Sequence, residues 1–405
     1  MSGPFSDITD TVFADKSVLR EEHQPNEILE RDEEIDEYRH ALRDVLFGND
    51  PENVMIYGKA GLGKTAVTMY MMDALLAEVE TREAADDLSV HTVNCNGKSL
   101  FIVVRTLVNE LLPADASPFP RRGLGTGDAF ETLYDQLDRI GGTHLFVFDE
   151  IDHIDDANTL LYELPRARSN GHIEKARLGL IGISNNYTFR KSLSPKVKDT
   201  LMEVEIAFSP YNATELQTIL QDRAEDAFVE GGYDQSAIRA AAAIAAQDVG
   251  NARQSIDLLR VGAEVAEKNG DSKVTDTHVS RARSLVQRGR LRNRISDQTK
   301  HAQYVLEAVA RLERDGQTPA RSKQIMTTYE GVARSWGTDP LTTLKSIQGH
   351  LSELHMLGFF SQHERNEGRS GGHYFEYELD LDAAIVLETR ESLELGEDPT
   401  AKPLE

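Results

Sequence analysis

Gly58-Lys59-Ala60-Gly61-Leu62-Gly63-Lys64-Thr65 places three glycines, a lysine and a hydroxyl in the pattern G-x-x-x-x-G-K-[ST]. Glycines let backbone N–H groups curl around phosphate oxygens, and a following helix start adds its positive end. Lys64 then reaches the β- and γ-phosphates, and the Thr65 hydroxyl faces Mg²⁺. The flanks support this chemistry. Asn53 to Tyr57 reads as a buried strand entering the loop, and Ala66 to Ala77 as the helix leaving it. That strand–loop–helix context turns a pattern into a chemical statement. The expected ligand is a nucleoside triphosphate with Mg²⁺, held by residues 58–66.

A second group completes the constellation. Leu145-Phe146-Val147-Phe148 is an apolar strand ending in Asp149-Glu150. One carboxylate there can hold the metal and the next can polarise an attacking water, so Asp149 is assigned to Mg²⁺ and Glu150 to the water. Another apolar strand, Leu178 to Ile183, ends in Ser184-Asn185-Asn186, which sets Asn185 within reach of the γ-phosphate or that water. Gly250-Asn251-Ala252-Arg253 puts an arginine in the first turn of a later helix, where Arg253 would tie nucleotide state to closure of a lid.

These groups must be held by alternating elements. Short apolar strands alternate with helices as far as about residue 205, which predicts an α/β domain with a parallel sheet covered on both faces. Asp128 to Ile140 reads as an amphipathic helix opened by Asp128 as N-cap. From about 206 to 295 the pattern is all helical, opened by a capping box at Asn212-Ala213-Thr214-Glu215. From 296 to 390, three helices (Lys300–Glu313, Arg321–Trp336, Pro340–Leu357) precede two strand-like runs around Gly368-Arg369-Ser370-Gly371-Gly372. That is the winged-helix arrangement. Residues 1–20 read as a weakly ordered lead-in, 21–205 as the ATPase base, and 391–405 as an acidic, disordered tail. At 405 residues the chain exceeds what one core supports, about 250–300 residues.

The net charge is −24, with acids spread along the whole chain and arginine well in excess of lysine. Basic partners would account for this, but a diffuse acidic coat with little lysine better fits a very saline cytoplasm. At ~1 M salt the Debye length is ~3 Å and self-repulsion is screened. Acidity therefore does not exclude nucleic acid. The chain has no apolar run long enough to span a bilayer. It also lacks a basic-then-apolar leader, and Cys95 is its single cysteine, which together predict a reducing cytoplasm. Against the acidic background Arg281 to Arg294 carries six arginines and no acid. A solvated helix face, phosphate contact or interdomain pairing each accounts for that run.

In the third unit, Leu341, Leu344, Ile347, Leu351 and Leu354 form a core face at helical spacing. The opposite face offers Thr342, Lys345 and Ser346 to a major groove, with Glu353 further along it. The hairpin adds Arg365, Arg369 and the backbone of Gly371 and Gly372 as a phosphate or minor-groove wedge. With so few cations, the salt dependence of DNA binding is expected to be shallow.

Phosphate loop, Asp149-Glu150, Ser184-Asn185, Ser209-Pro210-Tyr211, Gly250-Asn251-Ala252-Arg253 and the terminal winged helix occur in an order that resembles AAA+ replication initiators. More closely, the chain is similar to the archaeal, particularly haloarchaeal, origin-recognition and cell-division-control proteins, over roughly residues 12 to 388. The resemblance implies an ATP/ADP-dependent binder of double-stranded origin DNA, with the replicative helicase and other initiator copies as partners, working at the nucleoid. It implies that Asn185 and Arg253 are the two nucleotide sensors. Arg31 and Tyr211 join the nucleotide site, and a DNA-contacting insertion falls at Arg121-Arg122. One position departs from the pattern. The family commonly carries a trans-acting arginine where Ser194-Pro195-Lys196 stands, and Lys196 keeps the charge but loses the planar fork. Slow hydrolysis follows, with ATP acting mainly as a switch. A clamp-loader motor is disfavoured, because Tyr187-Thr188-Phe189-Arg190 replaces its Ser-Arg-Cys and such subunits lack a winged helix. A nucleotide-gated regulator without helicase loading stays open.

Overall fold

The computed structural model describes residues 11–20, 23–25, 27–82, 87–366 and 373–396. The chain divides between Ser280 and Arg281 into two compact units.

In the first unit five strands, β1 (Val54–Tyr57), β2 (Leu88–Asn94), β3 (Gly142–Asp149), β4 (Ala176–Ser184) and β5 (Val204–Ala207), pair in parallel in the order β2-β3-β4-β1-β5. Parallel neighbours need crossover connections. These contain α2 (Lys64–Val79), α3 (Leu100–Leu111), α4 (Thr126–Ile140), α5 (Ala157–Arg166), α6 (Phe189–Ser192) and α7 (Pro195–Leu201), while α1 (Asp32–Ala41) precedes β1. One face of the sheet buries Met55, Phe146 and Phe148 against Leu107, Leu133 and Leu160. The other buries Ile56, Val147 and Ile183 against Tyr38, Val67 and Met72. Burial on both faces is why the strands read as unbroken apolar runs.

Register sets the chemistry. Tyr57 pairs with Ser184, Phe148 with Gly182, and Asn94 with Asp149. The carboxyl ends of β1, β4, β3 and β2 therefore finish at one level, the edge where α/β sheets place ligands. β4 runs between β1 and β3, so the residue after Ser184 emerges between the phosphate loop and the acidic pair.

Two local expectations change. The helix α4 starts at Thr126 with Gly125 as its N-cap, and Asp128 is its third residue, accepting from the Gly125 N–H at 2.6 Å. Residues 11–20, expected to be weakly ordered, are packed. Phe13 stacks on Phe228 with ring centroids 5.5 Å apart, the Ala14 N–H donates to the Ala227 carbonyl, and Leu19 is fully buried. Apolar residues at 12, 13, 18 and 19 give this short segment enough surface to bury.

The lid is α8 (Ala213–Ala227), α9 (Gln235–Asp248) and α10 (Ala252–Asn269). The predicted capping box opens α8: the Asn212 side chain accepts from the Thr214 and Glu215 N–H groups, and Glu215 accepts from the Asn212 N–H at 2.8 Å. Helix α11 (Asp276–Ser296) contains the boundary between the units.

The second unit holds α12 (Lys300–Arg314), β6 (Ala320–Arg321), α13 (Ser322–Ser335), α14 (Leu344–Met356), β7 (Phe360–Asn366), β8 (His373–Leu379) and α15 (Ala383–Glu394). Its antiparallel sheet has the order β6-β8-β7. Helix α14 begins at Leu344, not Pro340. Thr343 is its N-cap, accepting from the Ser346 N–H at 3.2 Å, and the Leu341 N–H is already committed to the Tyr329 hydroxyl at 2.9 Å. Helix α15 continues to Glu394, past the residue where the sequence reads as a tail. Buried Arg390 fastens it, donating to Gln303 Oε1 at 2.6 Å and Glu394 Oε1 at 2.5 Å. In the arginine-rich run, Arg292 pairs with Glu388 at 3.2 Å, and the Arg294 guanidinium lies 4.6 Å from the Phe359 ring centroid. Both fasten α11 within this unit.

Candidate nucleotide site and DNA-reading surface

A cavity of about 530 Å³ opens at the carboxyl edge of the first unit's sheet. It is lined by Ala60, Gly61, Gly63, Lys64, Thr65 and Ala66, by Asp149, Glu150 and Asn185, and by Tyr211 and Arg253. Residues far apart in sequence thus meet in one place. Leu19, Ile28, Ile219 and Ile256 add an apolar wall suited to a flat base.

Lys64 is 5% exposed. Its Nζ donates to the Gly58 carbonyl at 2.7 Å, the Lys59 carbonyl at 2.9 Å and Asn185 Oδ1 at 2.7 Å. Burial pushes its pKa down to about 8; the carboxylates of Asp149 and Asp152 oppose that shift and Arg253 adds to it. An ammonium so poorly solvated gains strongly from a phosphate. The Thr65 hydroxyl donates to Asp149 Oδ2 at 3.1 Å, so the two proposed metal ligands are neighbours. Glu150 adopts φ 53°, a left-handed conformation costing on the order of 1–3 kcal/mol in a non-glycine residue. Its N–H donates to Asp149 Oδ1 at 2.9 Å, and its carboxylate accepts from Asn185 Nδ2 at 3.4 Å.

The lid meets the loop directly. Asn251 Nδ2 donates to the Ala60 carbonyl at 2.9 Å, and the Ala252 N–H donates to the Gly61 carbonyl at 3.1 Å. Gly61 has φ +78°, and a Cβ there would stand 2.1 Å from Asn251 Oδ1. Gly250 has φ +68°, and a Cβ there would stand 2.4 Å from the Tyr211 carbonyl. Glycine is required at both positions. The loop conformation, the buried lysine and the oxygen donors of Thr65 and Asp149 fit a nucleoside triphosphate with one divalent cation. Bound Mg²⁺ would neutralise phosphate oxygens. Glu150 and Asn185 line the same cavity, and the Asn185 amide bonds both Lys64 and Glu150.

Arg31 does not line the cavity. It is 4% exposed and spent on internal partners: Nε to the Tyr211 hydroxyl at 2.8 Å, Nη1 to Glu34 at 2.7 Å, and Nη2 to the carbonyls of Leu62 and Ser209 at 3.1 and 2.9 Å. It positions Tyr211 and the loop. Gly58, Lys59 and Leu62 likewise contribute through their carbonyls. Two residues carried no assigned role from sequence, Asn251 and Asp152. Asn251 stands in the quoted Gly250–Arg253 motif. Asp152 accepts from the Asn185 N–H at 3.4 Å, and its proximity to Asp149-Glu150 was the available signal.

Family models match residues 27–174 as an AAA ATPase domain, 217–284 as a Cdc6 AAA+ ATPase-type lid domain and 293–389 as a CDC6 C-terminal winged helix domain. The chain is 48% identical over 390 residues to ORC1-type DNA replication protein 8 of Halobacterium salinarum, covering 96% of this chain and 98% of that protein. The chain belongs to the archaeal ORC1/Cdc6 family of replication initiators. The initiator is also 42% identical to ORC1-type DNA replication protein 15 of Haloarcula marismortui, over 93% of its own length and 92% of that protein's. The Aeropyrum pernix ORC1 protein, solved in complex with DNA, superimposes with a TM-score of 0.81 at 31% identity, over 96% of this chain and 99% of that one. Cdc6p of Pyrobaculum aerophilum shares the fold at 18% identity, with a TM-score of 0.56. As an AAA+ ATPase the initiator binds nucleotide. Among its described residues no helix is long and apolar enough to cross a membrane.

The remaining predicted positions lie outside the cavity. Lys196 is exposed on α7, its ammonium 3.8 Å from the Tyr162 ring centroid. Arg121 and Arg122 are exposed in the loop before α4. Phe119 anchors that loop, buried in the core and bonded to Arg105 Nε and Asn109 Oδ1. Cys95 is buried and its thiol is pushed up to about 12, which makes it inert. In the second unit Thr342 and Lys345 are exposed, and the Ser346 hydroxyl is 2.7 Å from Thr343 Oγ1. Arg365 Nε donates to Glu376 at 3.0 Å across the hairpin. Arg369, Gly371 and Gly372 lie outside the described residues.

Proposed function

We infer that the initiator is an ATP-switched binder of double-stranded origin DNA that helps recruit or load the replicative helicase. The observation that carries this reading is the bonding of the lid to the phosphate loop. Asn251, the N-cap of α10, and Ala252, its first residue, hold the Ala60 and Gly61 carbonyls, while Arg253, the next residue, lines the same cavity. A γ-phosphate that attracts Arg253 acts on the lid through a single rigid helix. The winged-helix unit and the DNA complex of the Aeropyrum pernix relative support duplex DNA as the other ligand. Such a protein works in the cytoplasm at the nucleoid.

On this reading the roles divide as follows. Asp149 and Thr65 hold Mg²⁺, Glu150 orients the water, Asn185 and Arg253 sense the γ-phosphate, and residues 58–66 cradle the phosphates with Tyr211 beside them. Turnover is slow. Lys196 rests on Tyr162 and lacks the fork that stabilises a spreading phosphoryl charge. That observation also favours a second reading, a nucleotide-gated DNA-binding regulator that loads no helicase.

Footprinting on the intergenic DNA beside the gene, in molar KCl with ATP, ADP and Lys64→Ala, tests the first reading. A discrete footprint that changes between ATP and ADP and is lost in the variant supports it. No footprint in any state removes origin binding.

A further inference from the structure

We propose that Gln348 reads a base in the second unit's reading groove, and that the base it selects is adenine. The inference rests on the duplex-binding role above and deepens it. A groove of about 610 Å³ runs between α14 and the hairpin. Its helical wall is Leu344, Gln348 and Ser352, at i, i+4 and i+8 on one face. The hairpin side contributes Gln362 and Tyr374, and Lys323 in the first turn of α13 supplies a cation for the backbone.

A helix reads bases from its N-terminal turns. In the first two turns of α14 the exposed positions are Lys345, Ser346, Gln348 and Gly349. Ser346 is short and its hydroxyl is tied to the Thr343 cap. Lys345 offers donors only, which suit phosphate or guanine and not the donor–acceptor edge of adenine. Gln348 alone combines reach with a donor and an acceptor. Among the described residues, its amide and that of Gln362 have no hydrogen-bond partner within the chain. Gly349 gives a second indication. Nothing lies within 4 Å of where its Cβ would stand, so no internal packing asks for glycine in mid-helix. Glycine is a poor helix former, and here it leaves the surface beside Gln348 bare for close approach of another molecule.

Adenine presents N7 as acceptor and the N6 amine as donor in the major groove, the complement of a carboxamide. A good bidentate pair discriminates roughly 10- to 100-fold against other bases. Arginine at the same place would select guanine.

The test is selection from a pool of random-sequence duplexes by the full chain with ATP, comparing wild type, Gln348→Ala and Gln348→Arg. The expected result is a wild-type motif with a dominant adenine at one position. That position should lose its preference in Gln348→Ala and turn to guanine in Gln348→Arg, with the rest of the motif retained. An adenine preference that survives Gln348→Ala overturns the proposal and leaves duplex binding standing. If wild type enriches no motif, sequence-specific duplex binding itself fails, and the proposal with it.

Discussion

The ammonium of Lys64 and the side-chain oxygen of Asn185 are 2.7 Å apart, although 121 residues separate them. That contact joins the phosphate loop to the end of β4, and the other side of the same amide faces Glu150 at 3.4 Å. On the proposed function, Asn185 aligns a phosphate-binding cation with a water-orienting carboxylate. Asn185→Ala should reduce single-turnover hydrolysis on the order of a hundredfold, the scale seen when one preorganised donor is removed. Nucleotide affinity should change only a few-fold, because Lys64 keeps its two carbonyl partners. Rapid-quench kinetics beside calorimetric titration separates the two. An equal loss in both would assign Asn185 to binding alone.

Arg31 is predicted to be structural. Removing it strands buried Glu34 and frees Tyr211, and breaking a buried pair costs about 3–5 kcal/mol. Arg31→Lys should recover little, since one ammonium cannot reach the four partners a planar fork serves. Denaturant unfolding without nucleotide should show the loss. Weakened nucleotide binding at unchanged stability would return Arg31 to the site.

Asn251 joins two jobs in one side chain. Its Oδ1 caps α10 at the Gln254 N–H, and its Nδ2 holds the Ala60 carbonyl. Asn251→Ala should cost about 1–2 kcal/mol as a lost cap and a lost hydrogen bond. Asn251→Asp keeps the cap and loses the donor. It should recover part of the stability while leaving ATP and ADP less well distinguished in DNA binding, as equilibrium unfolding and a binding titration would show.

His144 supplies a pH test. It is 1% exposed, and its pKa is pushed down to about 4 by burial first and by His91 second, while its bond to the Gly141 carbonyl opposes the shift. The folded value lies below the ordinary one of about 6.5, so the unfolded chain binds the extra proton first. Stability is then whole above pH ~6.5 and falls as pH drops towards 4, by up to about 3 kcal/mol. Unfolding free energies at several pH values should show that slope, and His144→Phe should flatten it.

Much of the site was legible in the chain because its signals are local. A phosphate loop, an apolar strand ending in two acids and a capping box each announce themselves within eight residues. What was not legible depends on partners distant in sequence. Arg31 looked like a ligand residue until Tyr211, Leu62 and Ser209 were seen to occupy its guanidinium. Residues 11–20 carry too little pattern to show that they dock on α8. The edge strand β5 is four residues long and includes Glu205, so it lacks an apolar signature. The start of α14 was misplaced because Leu341 and Leu344 continue the helical spacing, whereas Thr343 caps the helix. The groove beside Gln348 was not legible either, because its hairpin wall comes from residues distant in sequence.

Charge pairing on the hairpin bears on salt. Arg365 and Arg321 both face Glu376. Cations already paired release few counterions on meeting phosphate. At about −0.9 per phosphate contact, the log–log salt slope for duplex binding should be shallower than about −4. Anisotropy titrations across KCl concentrations would measure it, and a steeper slope would mean that these pairs open on DNA.

The central claim is that nucleotide state and DNA binding are coupled through the lid, and linkage tests it most directly. ATP affinity would be measured with and without saturating duplex DNA, and DNA affinity with ATP and without nucleotide, for wild type and Arg253→Ala. The account predicts the same factor in both directions, roughly 5- to 150-fold as is usual for coupled sites, and a factor near one in the variant. A wild-type factor of one would contradict it, leaving a nucleotide site and a DNA-binding unit that do not communicate.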